Sequence, residues 1–221
     1  MHTLVALNVD YAATGPGHLD RAPCRVTLAS AGAVLLDVRV RVEGLLDPMT
    51  GYTALAADEL GATATPLDEA VEAVHALLAA RLPVLLLGHS FGRSARSVRL
   101  QRGAHYAVGV DVVELLRTWN KRFGHWNFFA LPKIAFVLGV APPRDSAGRA
   151  LALLDVYEKL LERPDVVGVC KAELQRMQYA RGFPPEVADK PPTPPGVCVS
   201  AYNASECTCG QPLLGKGPAV A

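Results

Sequence analysis

Strand-like and helix-like segments alternate along residues 1–163, and this alternation restricts the fold more than any other feature of the chain. Three apolar or alternating runs come first, at 3–9, 24–30 and 34–41, with Ala31 and Gly32 in a turn between the second and the third. A helix is predicted over 65–80, because Pro66 and two acidic residues mark its first turn. The pattern predicts an α/β domain.

The same alternation continues to the end of this domain. We predict a buried strand at 84–88, a short helix at 91–102, a strand at 107–112 and two helices at 131–139 and 147–161. The order βββ-α-β-α-β-α-α is typical of the RNase H-like fold, a mixed sheet flanked by helices. Half of the 221 residues are hydrophobic, which is enough to bury one core of this size.

The last quarter of the chain has a different composition. One extra helix is expected within 164–183, whereas 184–221 is rich in Pro, Gly, Ser and Cys. Prolines at 184, 185, 191, 192, 194 and 195 impose extended or turn backbone. We expect 184–221 to be an extended Pro-rich tail that becomes ordered only against a partner, as in subunits of large assemblies.

Charge and hydropathy exclude several classes of protein. The chain has 22 Lys plus Arg against 21 Asp plus Glu, so any affinity for nucleic acid requires local clusters of charge. No apolar run approaches the roughly 20 residues that span a bilayer, and no secretory signal is recognisable at the N-terminus. We expect a cytoplasmic, nuclear or virion-internal protein with reduced thiols. A zinc site at Cys198, Cys207 and Cys209 is not expected, because no His follows them.

Three blocks of sequence occur in the order and spacing of a known nuclease family. They are ALNVD at 6–10 with ATGPG at 13–17 and CRVTL at 24–28, LLGHSF at 86–91, and LPKIAFVLGV at 131–140 followed by Arg144 and Arg149. Together they resemble the DEDDh 3′→5′ exonucleases, which have a DnaQ-like, RNase H-like fold. The RNA exonuclease subgroup that includes the interferon-stimulated 20-kilodalton exonuclease is the most similar. The resemblance covers about residues 4–161.

The resemblance implies a catalytic site whose residues are mostly replaced. Family members hold two divalent metal ions between four carboxylates, and a His acts as the general base. The corresponding positions here are Asn8, Asp10, Ser94 and Arg149 for the acids and Arg144 for the base. Arg cannot accept the proton, because its pKa is above about 12. We therefore expect no catalytic residues, no metal ion, no other cofactor and no hydrolysis, which makes the chain a pseudoenzyme.

A different alignment of the last motif keeps a second hypothesis open. A shifted register would direct Asp145 towards the site, and Asp111 lies at the end of a predicted strand. The chain would then be an active metal-dependent 3′→5′ exoribonuclease with an atypical site. His89 matches a family His that is not the base, and we expect it to be structural.

Four arginines are candidates for binding nucleic acid in place of the metals. Arg93 and Arg96 lie beside the former cleft, and Arg144 and Arg149 replace catalytic residues, so planar guanidinium groups could bind phosphates there. The other interpretation is that these are ordinary solvated or ion-paired arginines. The leading hypothesis is a structural or nucleic-acid-associated subunit of a ribonucleoprotein or virion, with RNA or another single strand as its candidate ligand. A pure protein–protein scaffold is the alternative.

Aromatic residues concentrate in one segment, at 119, 123, 126, 128 and 129, and we call the span Trp119–Phe129 the aromatic segment. Its rings could stack bases in a single-strand channel. Packing or contact with a protein partner is favoured, because aromatic residues are scarce elsewhere and the core needs them. We expect protein subunits to contact the domain through this segment and through the tail 184–221.

Overall fold

The centre of the molecule is a five-stranded mixed sheet with the spatial order β3-β2-β1-β4-β5. The computed structural model describes residues 2–122, 124–163, 165–188 and 194–198. The strands are β1 (Thr3–Ala13), β2 (Arg21–Ser30), β3 (Ala33–Arg39), β4 (Val84–Gly88) and β5 (Val108–Asp111). The first three are antiparallel neighbours, whereas β4 runs parallel to β1 and β5 runs parallel to β4. The predicted fold class is confirmed.

Helices cover both faces of this sheet. Those in the described ranges are α1 (Thr50–Thr53), α2 (Leu67–Ala79), α3 (Phe91–Ser97), α4 (Val112–Leu116), α5 (Leu131–Val137), α6 (Ser146–Glu162), α7 (Val166–Ala180) and α8 (Pro185–Ala188), with a 3-10 turn at Asp58–Leu60. A separate hairpin consists of β6 (Thr118–Asn120) and β7 (His125–Asn127). Within the described ranges, none of the helices has the length and apolarity needed to cross a membrane.

Strand β1 separates two hydrophobic cores, because successive side chains of a strand point to opposite faces. Val5 and Leu7 are buried with residues of α2 and α3, and Ala6 is buried with residues of α5, α6 and α7. Full burial of each large aliphatic side chain contributes about 1.5–3 kcal/mol. The same alternation directs Asn8 and Asp10 to the face that α6 covers.

The predicted helix over 91–102 is shorter in the structure, for a local reason. It ends at Ser97, and Arg99 adopts a left-handed conformation with a φ of 54°. The Leu100 N–H then donates to the Ala95 carbonyl oxygen at 2.8 Å, as in closures that commonly end helices. The short elements α1, α4, β6 and β7 were not predicted, because segments of three to five residues show no periodicity.

The tail differs from the prediction in its described part. The expected extra helix is present as α7, but residues 185–188 form α8 instead of extended chain. Phe183, just before α8, and Val187, within α8, are buried in the core. Pro185 suits the first helical position. Residues 194–198 lie against the domain itself. Residues 189–193 and 199–221, with Cys207 and Cys209, lie outside the described ranges.

Candidate functional site

The candidate site lies where β1 extends past the end of β4. The two strands pair only as far as Leu7 and Gly88, so Asn8 and Asp10 lie beyond the last parallel pair. Helix α6 begins on this face with Ser146. Ligand sites of α/β sheets commonly form outside the carboxyl ends of parallel strands. Strand geometry and the start of one helix therefore bring these side chains together.

An ion pair between Asp10 and Arg149 forms the centre of the site. The Arg149 Nη1 to Asp10 Oδ1 distance is 2.6 Å, and the side chains are 25% and 7% exposed, respectively. The same carboxylate oxygen accepts a hydrogen bond from Asn8 Nδ2 at 3.1 Å. Arg149 Nη2 donates to the Tyr52 carbonyl oxygen. The charge of Asp10 is thus compensated by a cation of the chain itself.

A line of hydrogen bonds extends from this ion pair into the sheet. Asn8 Nδ2 donates to Ser146 Oγ at 2.8 Å, and Ser146 Oγ lies 2.8 Å from Thr27 Oγ1. Thr27 donates its hydroxyl proton to Asp37 at 3.1 Å, so Ser146 must donate to Thr27. Arg25 in turn donates to Asp37 at 2.7 Å and lowers the pKa of that carboxyl group. Ser146 and Thr27 are fully buried, so their satisfied hydroxyl groups stabilise this arrangement.

The two divalent ions that the resemblance implies do not fit these residues. Magnesium prefers several oxygen ligands, including carboxylates, in octahedral geometry. Asp10 is the one acid at the four acidic positions, and Arg149 already binds one of its oxygens. The other oxygen, Oδ2, is buried without a hydrogen-bond partner in the described part of the chain. A unit positive charge about 4 Å from a guanidinium group is repelled by on the order of 4 kcal/mol near a protein surface.

A shifted motif register would supply two carboxylates, Asp111 and Asp145. In the structure each of them caps a helix. Asp111 accepts hydrogen bonds from the backbone N–H groups of Ser90 at 3.1 Å, Phe91 at 2.8 Å and Val113 at 3.0 Å. Asp145 accepts one from the backbone N–H of Gly148 at 2.7 Å. Helix N-termini stabilise carboxylates in such positions. Both acids therefore have a structural role that is independent of catalysis.

The other motif positions do not contact Asp10 within the described residues. Ser94 is buried in α3, which packs on the opposite face of β1, where the Tyr11 hydroxyl hydrogen-bonds to Ser97 of the same helix at 2.9 Å. Arg144 is exposed in the segment that precedes α6. The structure therefore brings together Asn8, Asp10 and Arg149, but it places Ser94 and Arg144 elsewhere.

The four candidate phosphate-binding arginines are likewise divided. Arg149 is held by Asp10, and the guanidinium carbon of Arg93 lies 4.0 Å from the centroid of the Tyr11 ring. Arg96 and Arg144 are exposed. Burial raises the pKa of Tyr11, and the nearby Arg93 opposes this shift. Two of the four guanidinium groups thus already have partners within the chain.

His89 and Cys24 are the other titratable groups beside the site. Burial lowers the pKa of His89, so the ring is neutral at pH 7 and its Nε2–H donates to the Phe129 carbonyl oxygen at 3.1 Å. Burial raises the pKa of the Cys24 thiol to about 12, and the negative charge of Asp10 adds to this shift. A thiol with that pKa is not a nucleophile at neutral pH. Cys24 therefore supplies no nucleophile at neutral pH, and one ring nitrogen of His89 is used in a backbone hydrogen bond.

Sequence reasoning missed three contributors to the site. Ser146 could have been found, because it follows the helix cap Asp145 and lies one turn before Arg149. Thr27 gave no comparable signal, since Thr is ordinary in a strand. Tyr52 acts through its backbone carbonyl, which no side-chain pattern reveals.

Residues 194–198 pack beside the same site. The Cys198 N–H donates to the Pro16 carbonyl oxygen at 2.8 Å, and Arg21 donates to the Cys198 carbonyl oxygen. Val197 is buried beside Met49 and Ala13, in the same small cluster as Tyr52. Burial and the nearby Arg93 lower the pKa of Arg21. The segment thus hydrogen-bonds to the loop that contains Thr14–Gly17 and shares a small hydrophobic cluster with Tyr52.

No protein-family profile matches the chain, and no curated protein matches it in sequence. Solved structures do match it. One is the Saccharomyces cerevisiae Pan2 pseudoubiquitin-hydrolase–RNase module, with a TM-score of 0.63 and 16% identity over 82% of this chain and 32% of that chain. The Neurospora crassa Pan2 catalytic unit matches with a TM-score of 0.59 and 16% identity over 79% of this chain and 29% of that chain. Escherichia coli exonuclease I with a dA16 oligonucleotide matches with a TM-score of 0.54 and 15% identity over 76% of this chain and 42% of that chain.

The chain has the exonuclease fold. This agrees with the fold that the sequence motifs imply. The chain spans less than half the length of each of these structures, and at these identities the likeness concerns the fold alone.

Proposed function

We propose that this exonuclease-fold domain is catalytically inactive and acts as a structural or nucleic-acid-associated subunit of a larger assembly. The observation that carries the proposal is the 2.6 Å ion pair between Asp10 and Arg149. Two-metal hydrolysis requires a pocket negative enough to hold paired cations. Here the last carboxylate of the motif is bound to a permanent cation, so the pocket is no longer negative.

Position 8 supports the same conclusion. A carboxylate at this position would offer oxygen ligands to a metal ion. Asn8 instead directs its amide N–H group at both Asp10 and Ser146 and acts as a hydrogen-bond donor. Position 8 therefore offers a hydrogen-bond donor where a carboxylate would offer acceptors. This donor is already used within the protein.

Association with nucleic acid is supported by the fold's relatives and by two exposed cations. The Saccharomyces cerevisiae Pan2 module is known in complex with A7 RNA, and exonuclease I is known with a dA16 oligonucleotide. In this chain Arg96 and Arg144 are exposed. Such arginines suit contacts with phosphates, which hold a strand without reading its sequence.

A nuclease assay tests the loss of catalysis. The full chain is incubated at high concentration with 5′-labelled single-stranded RNA or DNA, in magnesium or manganese, and with EDTA as the control. We expect no shortening from the 3′ end above the EDTA background. Metal-dependent shortening that disappears in Asp10→Ala would show instead that the chain is an exoribonuclease or exodeoxyribonuclease with an atypical site.

A binding assay separates the two non-catalytic versions of the proposal. Anisotropy of a labelled single strand, measured over a range of salt concentrations in EDTA, reports phosphate contacts through its salt dependence. We expect Arg96→Ala with Arg144→Ala to weaken binding and to reduce the salt slope, and Arg163→Ala, an exposed arginine at the end of α6, to change neither. Absence of binding at low salt would favour a pure protein–protein scaffold.

A further inference from the structure

We infer that the β6–β7 hairpin is a stacking platform for single-stranded nucleic acid, separate from the Asp10–Arg149 site. Both tryptophans of the chain lie on this hairpin and are directly opposite each other in its register. Trp119 is 45% exposed and Trp126 is 42% exposed, with ring centroids 5.3 Å apart and an interplanar angle of 68°. Large rings exposed together in this way are typical of a contact surface rather than of a core.

The aromatic segment is thus divided in the structure. Phe129 is 3% exposed and belongs to the core, as the packing interpretation expected, whereas Trp119 and Trp126 do not. Phe128 is half-buried, and Phe123 lies outside the described residues. The core interpretation is therefore wrong for the two tryptophans, whose rings are partly exposed.

The charge of the hairpin indicates what kind of ligand it would bind. Residues 117–127 contain Arg117, Lys121 and Arg122 and no acidic residue, and Arg117 pairs with Glu114 of α4. Lys121 and Arg122 are exposed. Positive charge complements a phosphate backbone, and exposed rings complement bases. The combination fits a single-stranded nucleic acid better than it fits an uncharged partner or a lipid surface.

Arg117 fixes the orientation of one of the rings. Its guanidinium carbon lies 4.3 Å from the Trp126 ring centroid, and the same group pairs with Glu114 at the end of α4. Cation–π contacts of this kind stabilise both partners. A pre-oriented indole loses little freedom when a base stacks on it, and every base has a stacking face, so we expect little sequence preference.

The hairpin also has a fixed position relative to the rest of the fold. Strand β7 leads to Phe129, whose carbonyl oxygen accepts the hydrogen bond from His89 just after β4. The base of the hairpin is therefore tied to the strand ends where the candidate site lies. The inference does not depend on the loss of hydrolysis, because either an active or an inactive domain would bind single strands through this surface.

Fluorescence anisotropy of the full chain tests the inference in EDTA at low salt. The probes are labelled oligouridylate and oligothymidylate of about 15 nucleotides, an abasic strand of equal length, and an acidic oligoglutamate peptide. The variants are Trp126→Leu, which removes the ring, and Trp126→Phe, which keeps a ring. Tyr179→Leu is the matched control, because Tyr179 is an exposed aromatic residue (54%) on α7.

The inference predicts that Trp126→Leu weakens binding of the base-containing strands about tenfold, while Trp126→Phe and Tyr179→Leu stay within about twofold of the original chain. The abasic strand should bind more weakly than either base-containing strand. Equal binding of the abasic strand, or unchanged binding in Trp126→Leu, would refute stacking. Preference for oligoglutamate would identify an acidic protein as the partner instead. The nuclease assay is scored separately, so failure of one proposal does not obscure the other.

Discussion

The Asp10–Arg149 site and the β6–β7 hairpin differ in how far their polar and aromatic side chains are exposed to solvent. At the site, carboxylate, amide, hydroxyl and guanidinium groups bind one another, and Asp10 is only 7% exposed. At the hairpin, cations and two large rings remain exposed to solvent. The motif resemblance points to the first region as the functional one, whereas the hairpin is the region whose aromatic rings are exposed.

Under the loss of catalysis that we propose, the difference illustrates how a catalytic pocket can become a structural one. Replacing acids by neutral residues alone would leave a buried carboxylate without compensation, which is costly. Arg149 supplies the compensating cation from α6, and Asn8 connects the pair to Ser146. The pocket thereby becomes part of the packing between the sheet and α6.

Removal of Arg149 should have the largest effect and tests whether the site is structural. Arg149→Ala leaves Asp10 buried without its cation, and we expect the free energy of unfolding to fall by about 2–4 kcal/mol. Urea denaturation measures this, and Asp10→Asn in the same background should recover part of the loss. Arg163→Ala, which removes an exposed ion pair, serves as the control and should have no measurable effect. Equal stability of Arg149→Ala and the original chain would mean that the pair contributes nothing.

Substitution of Asp111 should have the next largest effect and tests whether this acid is structural. It accepts three backbone hydrogen bonds at the starts of α3 and α4, so Asp111→Ala should lower the free energy of unfolding by about 1–3 kcal/mol. Asp111→Asn keeps one acceptor oxygen and should lose less. A stable Asp111→Ala variant with altered metal binding would contradict the capping role.

A smaller, pH-dependent effect is expected from His89. Burial lowers its pKa in the folded state, so the unfolded chain takes up the proton first as the pH falls below the ordinary His value of about 6.5. The stabilisation is therefore complete above that pH and decreases below it, with a slope of at most about 1.4 kcal/mol per pH unit. Urea midpoints between about pH 8 and pH 5 should fall less steeply in His89→Gln than in the original chain. If the urea midpoints of the two chains fell equally steeply with pH, the lowered pKa of His89 would be contradicted.

The smallest effect on stability is expected at the hairpin. Trp126→Leu removes a partly exposed ring with its contacts to Arg117 and Trp119, so we expect the free energy of unfolding to change by no more than about 1 kcal/mol. Urea denaturation under the conditions used for Arg149→Ala measures this. A loss as large as that of Arg149→Ala would show that the ring is needed for packing, and would remove the contrast between the two regions.

The sequence predicted the sheet and its main helices because their signals are local. Alternation marked β2 and β3, and Pro66 with two acidic residues marked the start of α2. The motif resemblance assigned Asp10 and Arg149 to the same site. The short hairpin β6–β7 was not predicted, since strands of three residues have no measurable period.

Other parts of the site could not be predicted, because they depend on tertiary contacts. Ser94 has the spacing of a motif acid, yet it is buried in α3, which packs on the other face of β1. The backbone carbonyl of Tyr52 carries no sequence signal. Exposure of Trp119 and Trp126 depends on what packs around the hairpin, and composition alone favoured packing or contact with a protein partner.

Manganese binding measured by electron paramagnetic resonance tests most directly whether Arg149 has taken the place of the metals. The comparison is between the original chain and the double substitution Asn8→Asp with Arg149→Asp, which surrounds Asp10 with carboxylates. We expect free manganese to remain unbound by the original chain and a new site to appear in the double variant. Tight binding by the original chain that is lost in Asp10→Ala would contradict the account.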